Sequence, residues 1–157
     1  MAELVLDTTY LLPIFGIGVE LEGFKTLFPQ LLGKYEVLYN PLSVVEAKWI
    51  SLRLGRDDPS MRERLLVAFT KGLKALLSDE RLKQTELTNP EIEETADILL
   101  LNAGVRDYFD RMIYATAVNR GASLLTEDEE LKELARVKDV PKPREVLTWS
   151  DLRGKLR

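Results

Sequence analysis

The sequence predicts an α/β sandwich around a mostly parallel sheet, on three observations. Short apolar runs of strand length recur along the 157 residues. Longer stretches between them repeat apolar residues at helical spacing. Asn-Pro pairs, acids and glycines mark helix starts and stops where one kind of segment gives way to the other.

Residues 3–6 read as a short buried strand. Thr8 or Thr9 is expected to cap a helix running through Tyr10, Leu11 and Leu12 toward Gly16. Residues 20–32 place Leu21, Phe24, Leu27, Phe28, Leu31 and Leu32 near a helical period ending at Gly33, with Pro29 set to kink or break it. Residues 35–39 alternate like a strand. Asn40-Pro41 then starts a helix, Asn as cap and Pro first inside, reaching past Trp49 toward Gly55. After a loop over 56–60, residues 61–77 are amphipathic, with Leu65, Leu66, Phe69, Leu73, Leu76 and Leu77 on one face. Residues 81–87 hold a short strand. Pro90 begins a helix reaching Ala103-Gly104, and Asp107 starts another that ends at Gly121. A strand over 122–125 and a short helix over 128–135 follow. Pro141 and Pro143 break the chain before a last strand at 145–147. The length suits a single domain over residues 1–157.

Composition excludes several chemistries. Hydrophobic residues make up 45%, enough for a core. No apolar run is long enough to cross a membrane, and the first residues lack the pattern of a signal peptide. Cysteine is absent, which fits a cytoplasmic protein and rules out disulfides. Histidine is also absent, which removes the Ser-His-Asp triad, the imidazole base and His-ligated zinc. Acid–base chemistry would rest on Asp, Glu, Lys, Tyr or a metal ion. The net charge of -4 argues against a simple nucleic-acid coat protein, although an acidic pocket beside a basic rim remains compatible with a nuclease.

Four acids stand out. Asp7 ends the first apolar run, where an unpaired charge is costly; it is either a helix cap or a functional group. Glu46 shares a helical face with Leu42, Trp49, Ile50 and Arg53, and its competing reading is a capping box with Ser43. Asp110 shares a face with Ile113, Tyr114 and Ala117, while Asp107 is the natural cap. Asp128 follows the fourth apolar run, where Thr126 and Glu129 also have capping-box spacing and Glu127 competes for any metal role. Converging carboxylates repel, and a divalent cation resolves that conflict. Oxygen-only ligands favour Mg²⁺ or Mn²⁺, ions that activate water and stabilise charge on a phosphoryl group.

These residues carry a family resemblance. The block from Leu4 to Leu12, the helix with Glu46, and the run from Asp110 through Gly121 to Thr126-Glu127-Asp128 resemble the PIN-domain ribonucleases, and in layout the chain looks like the VapC-type toxins of toxin–antitoxin pairs. The resemblance implies a PIN-like three-layer α/β/α sandwich. It implies that Asp7, Glu46, Asp110 and Asp128 hold Mg²⁺ or Mn²⁺ and form the catalytic cluster, with Thr9 or Thr126 as supporting hydroxyl. It also implies cleavage of single-stranded RNA, a homodimer and a small antitoxin partner. The helical region from Met61 to Gly104 is long for a minimal toxin.

Other residues are weighed against solvated or packed roles. Lys48 and Arg53, on the Glu46 helix, are the better candidates for an RNA-binding rim. Trp49 and Tyr114 have the chemistry to stack bases but are expected in the core. The reading is a metal-dependent endoribonuclease. The alternatives are a PIN-like RNA-processing or RNA-binding module with little or no catalysis, and a phosphatase with Asp7 as nucleophile.

Overall fold

A computed structural model describes residues 1–156. Strands β1 (Glu3–Leu6), β2 (Glu36–Tyr39), β3 (Leu82–Gln84), β4 (Ser123–Leu125) and β5 (Val146–Leu147) form one sheet in the order β3-β2-β1-β4-β5. Every pairing is parallel. Leu4 of the central strand stands between Val37 and Ser123.

Parallel neighbours require crossovers, and helices supply them. They are α1 (Phe24–Lys34), α2 (Pro41–Leu54), α3 (Pro59–Ser78), α4 (Pro90–Ala103), α5 (Tyr108–Arg120), α6 (Glu129–Glu133) and α7 (Trp149–Leu156). Their starts follow capping chemistry: Asn40, Asp58, Asn89 and Asp107 each accept a backbone N–H of the first turn. Pro follows three of these caps, where its missing N–H costs nothing.

The sheet is buried on both faces. Leu4, Leu6, Val37, Tyr39 and Leu125 face one apolar cluster, closed by Phe15, Phe24, Phe69 and Trp149. Val5, Leu38 and Leu124 alternate to the other, closed by Leu99, Ile113 and Tyr114. Helix α5 is buried almost all round over residues 111–117. The result is the expected three-layer sandwich.

The structure corrects several local expectations. Residues 8–16 do not form one helix capped by Thr8 or Thr9. They form two 3-10 turns, Thr8–Tyr10 and Leu12–Phe15, and Asp7 caps the first. Helix α1 starts later than expected, after Gly23 at φ 70°, and passes through Pro29 and Gly33 to Lys34. Helix α3 begins at Pro59, inside the expected loop. Helix α7 was not expected. Its signal is a capping box in which the Thr148 hydroxyl and the Asp151 carboxylate each accept the other's backbone N–H. Trp149 does not anchor α7 alone: Glu127 accepts its backbone N–H at 2.8 Å and the Tyr10 hydroxyl at 3.0 Å.

In this strand order the chain leaves β1 with β2 on one side and β4 on the other. Open α/β sheets bind ligands in the crevice at that switch point, beyond the strand C-termini. Asp7 is the first residue past β1.

Gly72, mid-way along α3, is explained by a close approach. A Cβ there would lie 2.2 Å from the backbone oxygen of Ile14. Gly72→Ala is therefore expected to lower the unfolding free energy by about 1–3 kcal/mol, despite alanine's better helix propensity. Urea melts of the two proteins check this, and an unchanged or raised midpoint contradicts it.

Candidate functional site

Asp7 is held from two sides. Its Oδ1 accepts the Thr8 N–H at 2.7 Å, and its Oδ2 accepts the Thr126 hydroxyl at 2.6 Å. Thr126 itself accepts the backbone N–H of Asp128 at 3.1 Å. Since Thr126 directly follows β4 and Asp7 directly follows β1, one hydroxyl ties two strand ends together and fixes the loop that carries Asp128.

Glu46 belongs to the body of α2. Asn40 caps that helix by accepting the Leu42 N–H at 2.8 Å, so Ser43 and Glu46 form no capping box. Asp110 lies in the first turn of α5, behind the cap Asp107, which accepts its N–H at 3.0 Å. Asp128 is itself the cap of α6, accepting the Leu131 N–H at 3.0 Å, and the Thr126–Glu129 box does not form.

Asp7, Glu46, Asp110 and Asp128 line one open depression of roughly 220 Å³, together with Thr8, Thr9 and Ile50. Thr126 stands behind it on Asp7, and Thr9 borders it directly. Glu127 does not line the depression; its Oε1 accepts from the Tyr10 hydroxyl and the Trp149 backbone N–H instead. Asp107, the cap of α5, joins the acids as well. Glu46, Asp107 and Asp110 each offer an oxygen within 4.8 Å of the others. Capping uses one carboxylate oxygen and leaves the second free. The i, i+3 spacing of Asp107 and Asp110 was the available signal.

Tyr114 is buried as expected, its hydroxyl donating to the carbonyl of Pro141. Trp49 is not in the core; it is 68% exposed. The Lys48 ammonium rests 4.5 Å from the centre of the Phe69 ring, between α2 and α3, and Lys48 is not among the residues lining the depression. Arg53 is exposed and close enough to ease the charge on Glu46.

The electrostatics report crowding. Burial pushes the Asp110 carboxyl up, and Asp7, Asp107, Asp128 and Glu46 push it further, to about 8. Burial also raises Asp7, against the pull of its bonds from Thr126 and Thr8. Glu46 is raised by burial first, then by Asp7 and Asp107; the nearby Thr8 hydroxyl offsets part of this. That hydroxyl is buried without a partner of full hydrogen-bond geometry. Clustered carboxylates and an orphaned oxygen make an all-oxygen donor set. Such a set fits a hard divalent cation, and Glu46, Asp107 and Asp110 are best placed to hold it.

The PIN domain family model matches residues 4–137. The chain belongs to the PIN domain family. Solved structures agree with it in fold at low identity. The chain is similar to VapBC2 from Rickettsia felis, solved on a DNA fragment from its promoter, with a TM-score of 0.61, 15% identity, and coverage of 94% of this chain and 98% of that one. It is similar to DNA-bound VapBC from Salmonella typhimurium, with a TM-score of 0.59, 18% identity, and coverage of 95% and 99%. It is also similar to VapC20 from Mycobacterium tuberculosis, described as a sarcin-ricin loop cleaving toxin, with a TM-score of 0.57, 14% identity, and coverage of 88% and 98%. No curated protein matches the sequence. In this PIN domain β5 extends the sheet beyond the matched segment, alongside β4.

The raised Asp110 has a measurable sign. Between its ordinary value of 3.8 and about 8, the folded protein keeps a proton that the unfolded chain releases. Its contribution to stability is therefore present below pH 3.8 and lost as pH rises toward 8. In EDTA, the Tm should fall from pH 5 to pH 8, and Asp110→Asn should make that fall shallower. Adding MnCl₂ at pH 8 should raise the wild-type Tm more than that of Asp110→Asn. Identical pH slopes in the two proteins contradict the crowding.

Proposed function

We propose that this PIN domain, acting as one unit over residues 1–157, is a Mg²⁺- or Mn²⁺-dependent endoribonuclease that hydrolyses single-stranded RNA. The observation that carries this reading is the convergence of Asp7, Glu46, Asp110 and Asp128 on one depression whose lining holds no Lys or Arg. Asp7, Glu46, Asp110 and Asp128 are the metal-holding and catalytic set, and Asp107 adds a further oxygen to it. Thr126 aims the Asp7 carboxylate, and Thr9 presents a hydroxyl at the edge of the depression. When bound, the ion supplies an activated water and stabilises the charge that develops on the phosphodiester. Arg53 meets the RNA backbone beside the acids. Asp7 accepts hydrogen bonds on both oxygens, which suits a positioned ligand better than a nucleophile.

The biological setting follows from the same reading. VapBC-5 from Mycobacterium tuberculosis, another structure of similar fold, is described as a member of the VapBC family of toxin–antitoxin systems, and this chain is proposed as the toxin, a cytoplasmic homodimer inhibited by a small antitoxin. No described helix is long and apolar enough to cross a membrane.

Labelled single-stranded RNA tests the proposal with Mg²⁺, Mn²⁺ or EDTA, beside Asp7→Asn and Asp110→Asn. Cleavage should require metal and fall about a hundredfold or more in each variant. Cleavage that persists in both variants would overturn the reading. Metal-independent binding without cleavage would favour the RNA-binding module.

A further inference from the structure

Trp49 is the largest apolar side chain left exposed on α2, the helix that brings Glu46 and Ile50 to the depression. The chain has two tryptophans. Trp149 is buried against Tyr10 and Phe24, with its indole N–H on the carbonyl of Glu22. Trp49 is 68% exposed on α2, between two residues that line the depression, Glu46 and Ile50. At about 100° per residue, Arg53 projects roughly 20° from Glu46 and Trp49 roughly 60°, both on the side opposite Ile50. Trp49 is also only about 4.5 Å along the helix from Glu46. A flat aromatic surface, a guanidinium and a carboxylate of the depression thus follow one another around a single helix.

The charge of the protein gives that arrangement a purpose. A net charge of -4 and a depression lined by acids attract a polyanion poorly. Lys48, the other cation on this part of α2, is drawn away to Phe69. Affinity for a strand must then draw on an interaction indifferent to net charge. Base–aromatic stacking is such an interaction, because every base has a π-face.

We propose that Trp49 is the base-stacking platform of this site: its indole takes the face of an unpaired base beside the phosphate being cut, while Arg53 holds an adjoining phosphate. The inference rests on the nuclease reading above and adds the element that selects unpaired RNA. A paired base is covered on both faces by its neighbours and has no face to offer. Stacking on Trp49 contributes to binding rather than to the chemical step. Its contribution is also insensitive to salt, unlike that of Arg53.

Two measurements test it. In cleavage assays on a short single-stranded RNA with Mn²⁺, Trp49→Ala should raise KM about tenfold, an effect that falls on KM rather than kcat, and Trp49→Phe should restore KM to within about threefold of wild type. In EDTA, a 2′-O-methyl decanucleotide should quench the exposed tryptophan emission. An abasic strand with the same phosphates should not, and Trp49→Phe should lose the response. An unchanged KM in Trp49→Ala, or equal quenching by the abasic strand, overturns the proposal. So does protection of Trp49 from acrylamide in the free protein, which would mean that a second copy covers it. Base-dependent quenching without any cleavage would sink the nuclease reading and leave the platform standing. Neither quenching nor cleavage would sink both.

Discussion

The hydrogen bond from Thr126 to Asp7 is the point from which the rest of the site is measured. It crosses the seam between β1 and β4, joining residues 119 apart in sequence, at 2.6 Å and away from solvent. Because Thr126 also receives the Asp128 N–H, the same oxygen sets the direction of α6. Asp7 in turn caps the 3-10 turn that leads to Tyr10, whose hydroxyl reaches Glu127 in the same loop. Neighbouring acids 127 and 128 are thereby sorted: one braces the aromatic cluster, and the other faces the depression.

That sorting concentrates negative charge at the sheet's switch point. Burial and mutual repulsion both favour protons on Asp7, Glu46 and Asp110. The N-terminus of α5, which would ordinarily help to ionise Asp110, does not overcome them. The rigid surroundings explain why the acids do not simply move apart. Asp7 is fixed by two hydrogen bonds, Asp110 by a helix buried almost all round, and Glu46 by a helix capped through the buried Asn40. Asn40 also donates to Leu87 and Thr116, which locks the start of α2 to α5.

Much of this was legible in the sequence where the determinants are local. Asn40-Pro41, Asn89-Pro90, and Asp107 with Gly121 announce their helices by capping chemistry, and the strand runs are apolar on both faces. The four acids came from the same kind of reading, since each ends a strand or lies on an inward helix face. The misses have tertiary causes. Residues 8–16 read as helical, yet Asp7 takes the cap and the chain turns twice to bring Ile14 against Gly72. Helix α7 is short and polar, and depends on the docking of Trp149 and Leu152. Trp49 has the hydrophobicity of a core residue, but periodicity does not say which side of α2 meets the sheet. Asp107 was a cap in both readings; its second oxygen became visible only when Glu46 was placed beside it.

The β1–β4 seam also imposes an order of events on the growing polypeptide. β1 is made before β4, its partner more than a hundred residues further along the chain. Pairings this distant form slowly, because a long loop must close before the contact repays it. Asp7 and Glu46 are therefore translated well before the residues that complete their site, Asp110 and Asp128. A partly synthesised chain carries half of the acids and no cluster. Assembly of the site is a late step in the life of the nascent protein, and the fold itself supplies the delay.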